Sequence, residues 1–204
     1  MKDVILIDAD TGNLRSVQKA LESAGANVKR TSDPEKVLSG KKIILPGVGA
    51  FGGFMSGLRA RGLDDVVKDA AIRGVPLLGI CVGMQALFEI GEEMGTHAGL
   101  GLLAGKVTRF ADSLPVKIPH TGWNQIEVRN DACLFNGINS GAYVYFNHSY
   151  YCQASNSSDV IATTDYGIKY TCAVRRENIF GVQFHPEKSQ QMGLQILKNF
   201  LEAA

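Results

Sequence analysis

The 204-residue sequence lacks the features that define several large classes of protein. No apolar run approaches the roughly 20 residues of a membrane span, and residues 1–3 lead directly into a short predicted strand, so we expect neither a membrane anchor nor a signal peptide. The sequence has no internal repeat and no low-complexity segment. We therefore expect a globular cytoplasmic protein with a single domain over residues 1–204.

The sequence also lacks a large net charge and closely spaced cysteines. Lys and Arg total 21 against 20 for Asp and Glu, so the net charge of +1 does not indicate nucleic acid or an anionic membrane as a partner. The 4 cysteines lie far apart, with no CxxC pair and no metal-ligand spacing, at positions 81, 133, 152 and 172. We expect reduced thiols and no metal or other cofactor.

What the sequence does contain is an alternation of short apolar runs and amphipathic segments. Strands are predicted at residues 3–8, 27–31, 42–45 and 75–80, and helices from residue 14 and over residues 35–38, 54–61 and 63–73. Later strand-like runs occupy residues 106–110, 124–128, 142–146, 160–164, 170–174 and 179–184. A last helix is predicted after Ser189, a good N-cap. The pattern predicts an α/β fold with a mostly parallel central sheet, flanking helices and a smaller antiparallel portion.

One cysteine occupies a position suited to a nucleophile. An apolar run at residues 75–80 is followed by helical spacing over residues 84–88, so a strand is predicted to turn into a helix at Cys81. Gly79 and Gly83 flank this cysteine as in a nucleophile elbow, and the helix N-terminus favours a thiolate. A lone cysteine is more often a buried structural residue, and the two glycines are what favour the catalytic interpretation.

A cysteine nucleophile requires a base, and among the 4 histidines His185 is the best placed. It follows the apolar run 179–184 and precedes Pro186, which favours an extended backbone in which residues i and i+2 point to the same side. Glu187 can then hold the imidazole while the other ring nitrogen accepts a proton from Cys81. His-Pro-Glu alone is also typical of a turn at a strand end, but together with the elbow it predicts a triad.

Acyl transfer also needs donors for an oxyanion. The backbone N–H of Val82, directly after the nucleophile, is one candidate, and we assign the second to Val48 in the glycine-rich segment 46–49. The same segment is compatible with a plain tight turn. It lacks the Lys-Ser/Thr pair of a P-loop and the spacing of a dinucleotide-binding fingerprint.

Three segments together resemble the class-I (triad) glutamine amidotransferases, namely 46–49 (PGVG), 79–85 (GICVGMQ) and 183–187 (QFHPE). The resemblance runs from the first strand to the last helix. Further segments resemble the subgroup that serves imidazole glycerol phosphate synthase, namely 12–17 (GNLRSV), 118–124 (IPHTGWN), 145–150 (YFNHSY) and 188–189 (KS). The departures are small: Val82 replaces the leucine usual after the nucleophile, and residues 8–11 differ from the usual opening.

The resemblance implies glutamine hydrolysis through a γ-glutamyl thioester on Cys81, with His185 as base and then acid and Glu187 as its orienter. Positions that would contact the bound glutamine are Gly49, Gln85, Glu93, Ser149 and Tyr150. The ammonia would pass to a (β/α)₈-barrel cyclase that acts in histidine synthesis. Because the sequence stops just past the predicted last helix, we expect this cyclase to be a separate protein and the pair to form a heterodimer.

The resemblance also implies a partner-facing or gating role for Asn13, His120, Trp123, Asn124, Tyr145 and Lys188. An alternative for Trp123 is a core position beneath the loops. Other functions remain open for the chain as a whole. It could feed ammonia to a different synthase, scaffold or regulate a partner without catalysis, or act alone as a thiol hydrolase of γ-glutamyl peptides.

Overall fold

The computed structural model describes residues 2–9, 13–129 and 132–203. Residues 10–12, which belong to the segment 8–11 and to the motif 12–17, lie outside this set. The helices are α1 (Leu14–Ser23), α2 (Pro34–Leu38), α3 (Phe51–Ala60), α4 (Leu63–Ile72), α5 (Val82–Ala86) and α6 (Gln190–Glu202). No helix of the described part of the chain is long and apolar enough to cross a membrane.

The strands, numbered in chain order, form one mixed sheet with a three-stranded extension. They are β1 (Lys2–Ile7), β2 (Ala26–Thr31), β3 (Ile43–Gly47), β4 (Leu77–Cys81), β5 (Phe88–Gly91), β6 (His97–Ala98), β7 (Leu103–Arg109), β8 (His120–Val128), β9 (Ala142–His148), β10 (Tyr150–Ala154), β11 (Val160–Asp165), β12 (Lys169–Arg176) and β13 (Ile179–Val182). The path through the sheet is β2-β1-β3-β4-β13-β12-β10-β7-β5-β6, while β11 joins β12 to β8 and β8 pairs with β9.

The parallel part of the sheet carries the predicted nucleophile at the end of β4, between β3 and β13. β2, β1, β3, β4 and β13 are parallel, and β13 then pairs antiparallel with β12. Every residue of β3, β4 and β13 is buried, as expected for strands covered on both faces. The predicted α/β class, with a mostly parallel sheet and an antiparallel portion, is confirmed.

Several local features differ from the prediction. The helix after Cys81 ends at Ala86, and residues 88–91 form β5 instead of continuing it. All residues of α5 are buried, so its sequence has no polar face to mark its length. The strand predicted at residues 42–45 continues through Gly47, since β3 pairs with β4 up to that residue. The segment 150–154 was not predicted as a strand, but it pairs with β7 as β10.

The helix predicted from residue 54 begins at Phe51, because a distant side chain caps it. The backbone N–H of Phe51 donates to Oε2 of Glu93 at 2.7 Å, which satisfies one of the donors left open at a helix N-terminus. Ser189, in contrast, stands at the N-cap position of α6 without capping it. Its hydroxyl donates to the carbonyl of His185 at 2.7 Å and accepts from the N–H of Tyr145 at 3.0 Å.

Candidate active site

Cys81 stands at the turn between β4 and α5 in a strained backbone conformation. Its φ is 56° and its ψ is −113°, although it carries a side chain, and only 3% of its surface is exposed. Backbone conformations of this kind cost on the order of 1–3 kcal/mol and persist only where the surroundings impose them. The turn therefore has the geometry of a nucleophile elbow, with the thiol at the carboxyl edge of the parallel sheet.

The glycines beside Cys81 are required by close backbone contacts. A Cβ on Gly79 would lie 2.6 Å from the carbonyl oxygen of Gly83, and a Cβ on Gly83 would lie 1.8 Å from the carbonyl oxygen of Leu45. Gly47 is similarly confined, because its Cβ would lie 2.8 Å from the backbone nitrogen of Gly83. The elbow can therefore press against β3 only because these positions lack side chains.

His185 and Glu187 follow the end of β13 and form a buried pair. Nδ1 of His185 is 2.9 Å from Oε1 of Glu187, and their side chains are 6% and 2% exposed. The backbone N–H of His185 donates to the carbonyl of Tyr145 at 2.9 Å. The carbonyl of His185 accepts from the hydroxyl of Ser189. Both backbone hydrogen-bonding groups of His185 therefore have partners, which fixes the backbone that carries the imidazole.

The surroundings of His185 favour its protonated form. Burial alone lowers its pKa, but the hydrogen bonds to Cys81 and Glu187 and the charges of those groups outweigh burial and raise the pKa to about 10. The imidazole is therefore an imidazolium at neutral pH, next to the Cys81 sulfur. Such a pair supplies a nucleophile and a proton donor in one contact.

A cavity of about 300 Å³ opens in front of the triad. Its walls include Cys81 and His185, both oxyanion candidates Val48 and Val82, the five residues matched to glutamine contacts, and the partner-facing candidate Lys188. Pro119, Asn147 and His148 complete the lining. Residues from six separate regions of the sequence are therefore brought to one site.

The oxyanion candidates meet because β3 and β4 are in register at their ends. Gly47 is opposite Cys81, so the residues that follow them, Val48 and Val82, both line the cavity. Gly49 has a φ of 90°, a conformation that favours glycine. This loop can therefore turn sharply toward α3 immediately after the predicted donor.

Amide groups connect the glutamine-contact candidates with the nucleophile. Nε2 of Gln85 donates to the carbonyl of Tyr150 at 2.9 Å and to Oε1 of Gln183 at 3.1 Å. Gln183 in turn directs its Nε2 at the sulfur of Cys81, 3.8 Å away. Gln183 was not predicted as a site residue even though it begins the QFHPE segment, since nothing local in the sequence indicates that its side chain contacts Gln85 and Cys81.

The predicted partner-facing residues differ in burial: Asn13, Trp123 and Lys188 are exposed, Asn124 and Tyr145 are half-buried, and His120 is buried. Trp123 is 45% exposed and packs edge-on against Tyr145, 6.1 Å between ring centroids, and the ammonium of Lys188 lies 5.4 Å from the Tyr145 ring centroid. Asn13 is also exposed and accepts a hydrogen bond from Ser16.

His120 differs from that set, since only 2% of its surface is exposed. Its ring lies between those of Phe146 and Tyr166, with centroids 4.6 and 3.8 Å away. Nδ2 of Asn124 lies 3.4 Å from Nε2 of His120 and donates to the carbonyl of Asp165 at 2.8 Å. In this structure His120 belongs to the wall behind the exposed residues.

One protein family and two named relatives match almost the whole chain. The family glutamine amidotransferase class-I matches residues 5–204. The chain is 48% identical to "Imidazole glycerol phosphate synthase subunit HisH" of Salinibacter ruber, over 96% of this chain and 92% of the relative. It is equally 48% identical to the HisH subunit of Moorella thermoacetica, over 99% and 95%.

Solved structures share the same fold at lower identity. A glutamine amidotransferase crystal structure superimposes with a TM-score of 0.77 at 23% identity, covering 98% of this chain and 97% of the other. PurLQS from Thermotoga maritima gives a TM-score of 0.78 at 22% identity, covering 99% of both chains. At this identity the two structures support the architecture alone.

Proposed function

This chain belongs to the class-I glutamine amidotransferase family, and we propose that it is the glutaminase subunit of imidazole glycerol phosphate synthase. It hydrolyses L-glutamine to glutamate and ammonia and delivers the ammonia to a separate (β/α)₈-barrel cyclase subunit for histidine biosynthesis. Near-full-length identity of 48% to HisH subunits supports the subfamily. The observation that carries the chemistry is Cys81 at φ 56° beside the buried His185–Glu187 pair. We assign the heterodimer to the cytoplasm, where thiols stay reduced.

In the first half of the reaction, the Cys81 thiolate attacks the side-chain amide carbon of glutamine. A C–S bond forms, and the negative charge moves to the amide oxygen, which the N–H groups of Val82 and Val48 stabilise. The imidazolium of His185 donates its proton to the departing nitrogen as the C–N bond breaks. Ammonia leaves, and a γ-glutamyl thioester and a neutral His185 remain.

In the second half, neutral His185 removes a proton from water, and the resulting hydroxide attacks the thioester carbon. Collapse of the tetrahedral intermediate breaks the C–S bond and releases glutamate. Cys81 returns as thiolate and His185 as imidazolium, so the pair is regenerated without net gain or loss of protons. Glu187 holds the imidazole ring and stabilises its charge in both halves.

Substrate recognition is assigned to the walls of the 300 Å³ cavity. The Glu93 carboxylate suits the α-ammonium group of glutamine by charge. Gln85 and the segment of Ser149 and Tyr150 line the same space, and Gly49 leaves room for the substrate beside the oxyanion donors. All five were predicted from the sequence, and their roles remain part of this proposal.

The free subunit is expected to be nearly idle. We infer that the N–H of Val48 reaches the oxyanion position only after the loaded cyclase docks against the Trp123 and Lys188 face. Gly47 and Gly49, the latter at φ 90°, flank Val48 and are compatible with such a peptide rotation. Steady-state assays contradict this inference if the isolated chain turns over glutamine as fast as the complex.

The decisive experiment measures ammonia release from glutamine by the purified chain, alone and with a barrel cyclase carrying its nucleotide ligand. A large rise only in the complex supports the proposed function. High activity of the chain alone favours a free-standing γ-glutamyl hydrolase. Exchanging cyclases for other synthases in a coupled assay tests whether the ammonia serves a different pathway.

A second measurement addresses the non-catalytic alternative. Mass spectrometry of the glutamine-treated chain should detect a γ-glutamyl thioester on Cys81. The adduct should be absent in Cys81→Ala, which serves as the control. A wild-type chain that forms no adduct, with or without the cyclase, would favour a scaffold or regulatory subunit that retains the fold without the chemistry.

A further inference from the structure

His148 lines the glutamine cavity, yet the proposed reaction gives it no role. It ends β9, is 7% exposed, and both of its ring nitrogens have partners. Nδ1 is 2.8 Å from the carbonyl oxygen of Tyr150, and Nε2 is 3.0 Å from the hydroxyl oxygen of Tyr170. A carbonyl oxygen can only accept, so Nδ1 of His148 carries a proton and donates it.

The charge state of His148 then determines what its other nitrogen does. Burial lowers the pKa of His148 to about 3, so the ring is neutral at physiological pH. A neutral imidazole with its proton on Nδ1 must accept at Nε2. The hydroxyl of Tyr170 therefore donates to His148, and the structure selects one tautomer of this ring.

The hydroxyl of Tyr170 also determines the tautomer of His120. Its hydroxyl oxygen is also 2.9 Å from Nδ1 of His120, whose pKa is lowered by burial to about 4. Since the Tyr170 proton is already directed at His148, Nδ1–H of His120 donates to Tyr170, and Nε2 of His120 accepts from the Asn124 amide. Each hydrogen bond in this series has one donor and one acceptor, so the series is fully satisfied.

The series of hydrogen bonds ends at the backbone carbonyl of Tyr150. The Tyr150 oxygen accepts from Nδ1–H of His148 and also from Nε2–H of Gln85, at 2.8 and 2.9 Å. A carbonyl has two lone pairs, so both are used. Gln85 lies on α5, directly after the nucleophile, whereas His148 lies on β9. The Tyr150 carbonyl is thereby fixed relative to Cys81 from two sides.

We propose that His148 is a positioning residue for glutamine, which acts by donating its Nδ1 proton to the Tyr150 carbonyl and so holds the Ser149–Tyr150 segment in the substrate cavity. This inference rests on the proposed function for the identity of the ligand. His148 touches none of the reacting atoms in this role. Its effect is on the shape of the cavity, which the ground state and the transition state both contact, and its loss raises KM more than it lowers kcat.

The test compares His148→Asn, His148→Gln and His148→Leu in the complex with the cyclase. The amide nitrogen of asparagine stands two bonds from Cβ, as Nδ1 does, and can restore the donor to Tyr150. Glutamine places the same amide one carbon further, near Nε2, and can reach only Tyr170. We expect KM for glutamine to rise about tenfold in His148→Gln and His148→Leu, with kcat within about threefold, which matches the loss of one hydrogen bond. His148→Asn should stay within about threefold of wild type in both constants.

A purely structural role of His148 predicts a different ranking of the three variants by activity. If His148 only fills space among aromatic rings, the larger side chains preserve function best and His148→Asn is the most impaired. Equal KM in His148→Asn and His148→Gln would likewise overturn the proposal. Tyr166→Phe is the control for loss of a neighbouring hydroxyl, since Tyr166 donates to the Lys117 carbonyl, outside the series.

A spectroscopic measurement separates this proposal from the proposed function. Two-bond ¹⁵N–¹H correlation spectra of the wild-type chain should show His148 with its proton on Nδ1 alone, a signal that disappears in His148→Asn. The amide resonances of Ser149 and Tyr150 should move in His148→Gln and return toward wild type in His148→Asn. An Nε2-protonated ring or unmoved amides would refute the positioning role. Absence of ammonia release by the wild-type complex would refute the proposed function instead.

Discussion

Nδ1 of His185 and Oε1 of Glu187 are 2.9 Å apart, with Pro186 as the one residue between them in the chain. The second carboxylate oxygen, Oε2, is buried and has no hydrogen-bond partner among the described residues. The carboxylate therefore interacts mainly with the imidazole, and its charge supports the imidazolium form.

Glu187→Gln should abolish most of the activity without unfolding the chain. The amide can still accept from Nδ1–H, but it lacks the charge that helps to raise the pKa of His185, and its NH₂ group adds a buried donor where Oε2 has no partner. We expect kcat in the complex to fall on the order of 10⁴-fold, as it does when the carboxylate of a serine-protease triad is neutralised. Glu202→Gln, at the exposed end of α6, is the control. Retention of a tenth of wild-type kcat would contradict the assigned role.

Gly83→Ala should be among the most damaging single-methyl additions in the chain. The new Cβ would lie 1.8 Å from the Leu45 carbonyl oxygen, so β3 or the elbow must move, and either movement displaces Cys81. We expect loss of activity and a decrease in the free energy of unfolding of about 3 kcal/mol or more.

The matched control for that substitution is Gly53→Ala in α3. Gly53 has nothing within 4 Å of its missing Cβ and does not have a positive φ. Alanine there should raise the free energy of unfolding by about 0.5–1 kcal/mol, since glycine disfavours a helix interior. Urea denaturation of both variants checks the pair, and similar losses of stability in the two would mean that the contact with Leu45 is not the cause.

The elbow and the triad could be predicted because the necessary information is local. Two glycines around Cys81 and a proline after His185 restrict the backbone within a few residues, and the consequences for side-chain direction follow directly. The sequence also indicated the α/β class, since fully apolar runs alternate with amphipathic segments. The length of α5 was missed because that helix has no polar face.

The hydrogen-bond series through His148 could not be predicted in this way. His120 lies on β8, His148 on β9 and Tyr170 on β12, and their contact depends on sheet order. Single-sequence patterns define strands but not which strand lies beside which. For the same reason the cap on α3 was missed, since Glu93 is 42 residues from Phe51 along the chain.

The buried neutral histidines predict a pH dependence of stability. The folded-state pKa values of His120 and His148 are about 4 and about 3, both below the usual value of 6.5. Between the lowered folded-state pKa values and 6.5, the unfolded chain binds more protons than the folded chain. The contribution of the two neutral histidines to the free energy of unfolding is therefore complete above pH 6.5 and is lost as the pH falls toward 3–4. Each histidine contributes a slope of up to about 1.4 kcal/mol per pH unit.

His148→Asn removes one of the two groups and should reduce that slope. Urea denaturation at several pH values from 7 down to about 4.5 measures it, and the variant should lose stability on acidification by up to about 1.4 kcal/mol per pH unit less than wild type. Parallel curves for the two proteins would show that the pKa of His148 is not lowered by folding, which would also remove the basis for assigning its tautomer.

Binding of the cyclase should depend on exposed Trp123 and on half-buried Tyr145 beside it. Trp123 is 45% exposed and held edge-on by Tyr145, whose ring also lies 5.4 Å from the ammonium of Lys188. A large aromatic side chain that is already ordered suits an interface anchor, and truncating such an anchor commonly costs at least about 2 kcal/mol of binding free energy, or roughly thirtyfold in Kd. Trp123→Ala should therefore weaken cyclase binding by about that factor in calorimetric titrations. Ile72→Ala, at a side chain 79% exposed on α4, provides the control and should leave Kd unchanged.

Because Tyr145 shares backbone contacts with His185 and Ser189, Trp123→Ala should also reduce the activation of glutamine hydrolysis at saturating cyclase. An unchanged Kd in Trp123→Ala would place the partner on another face of the molecule.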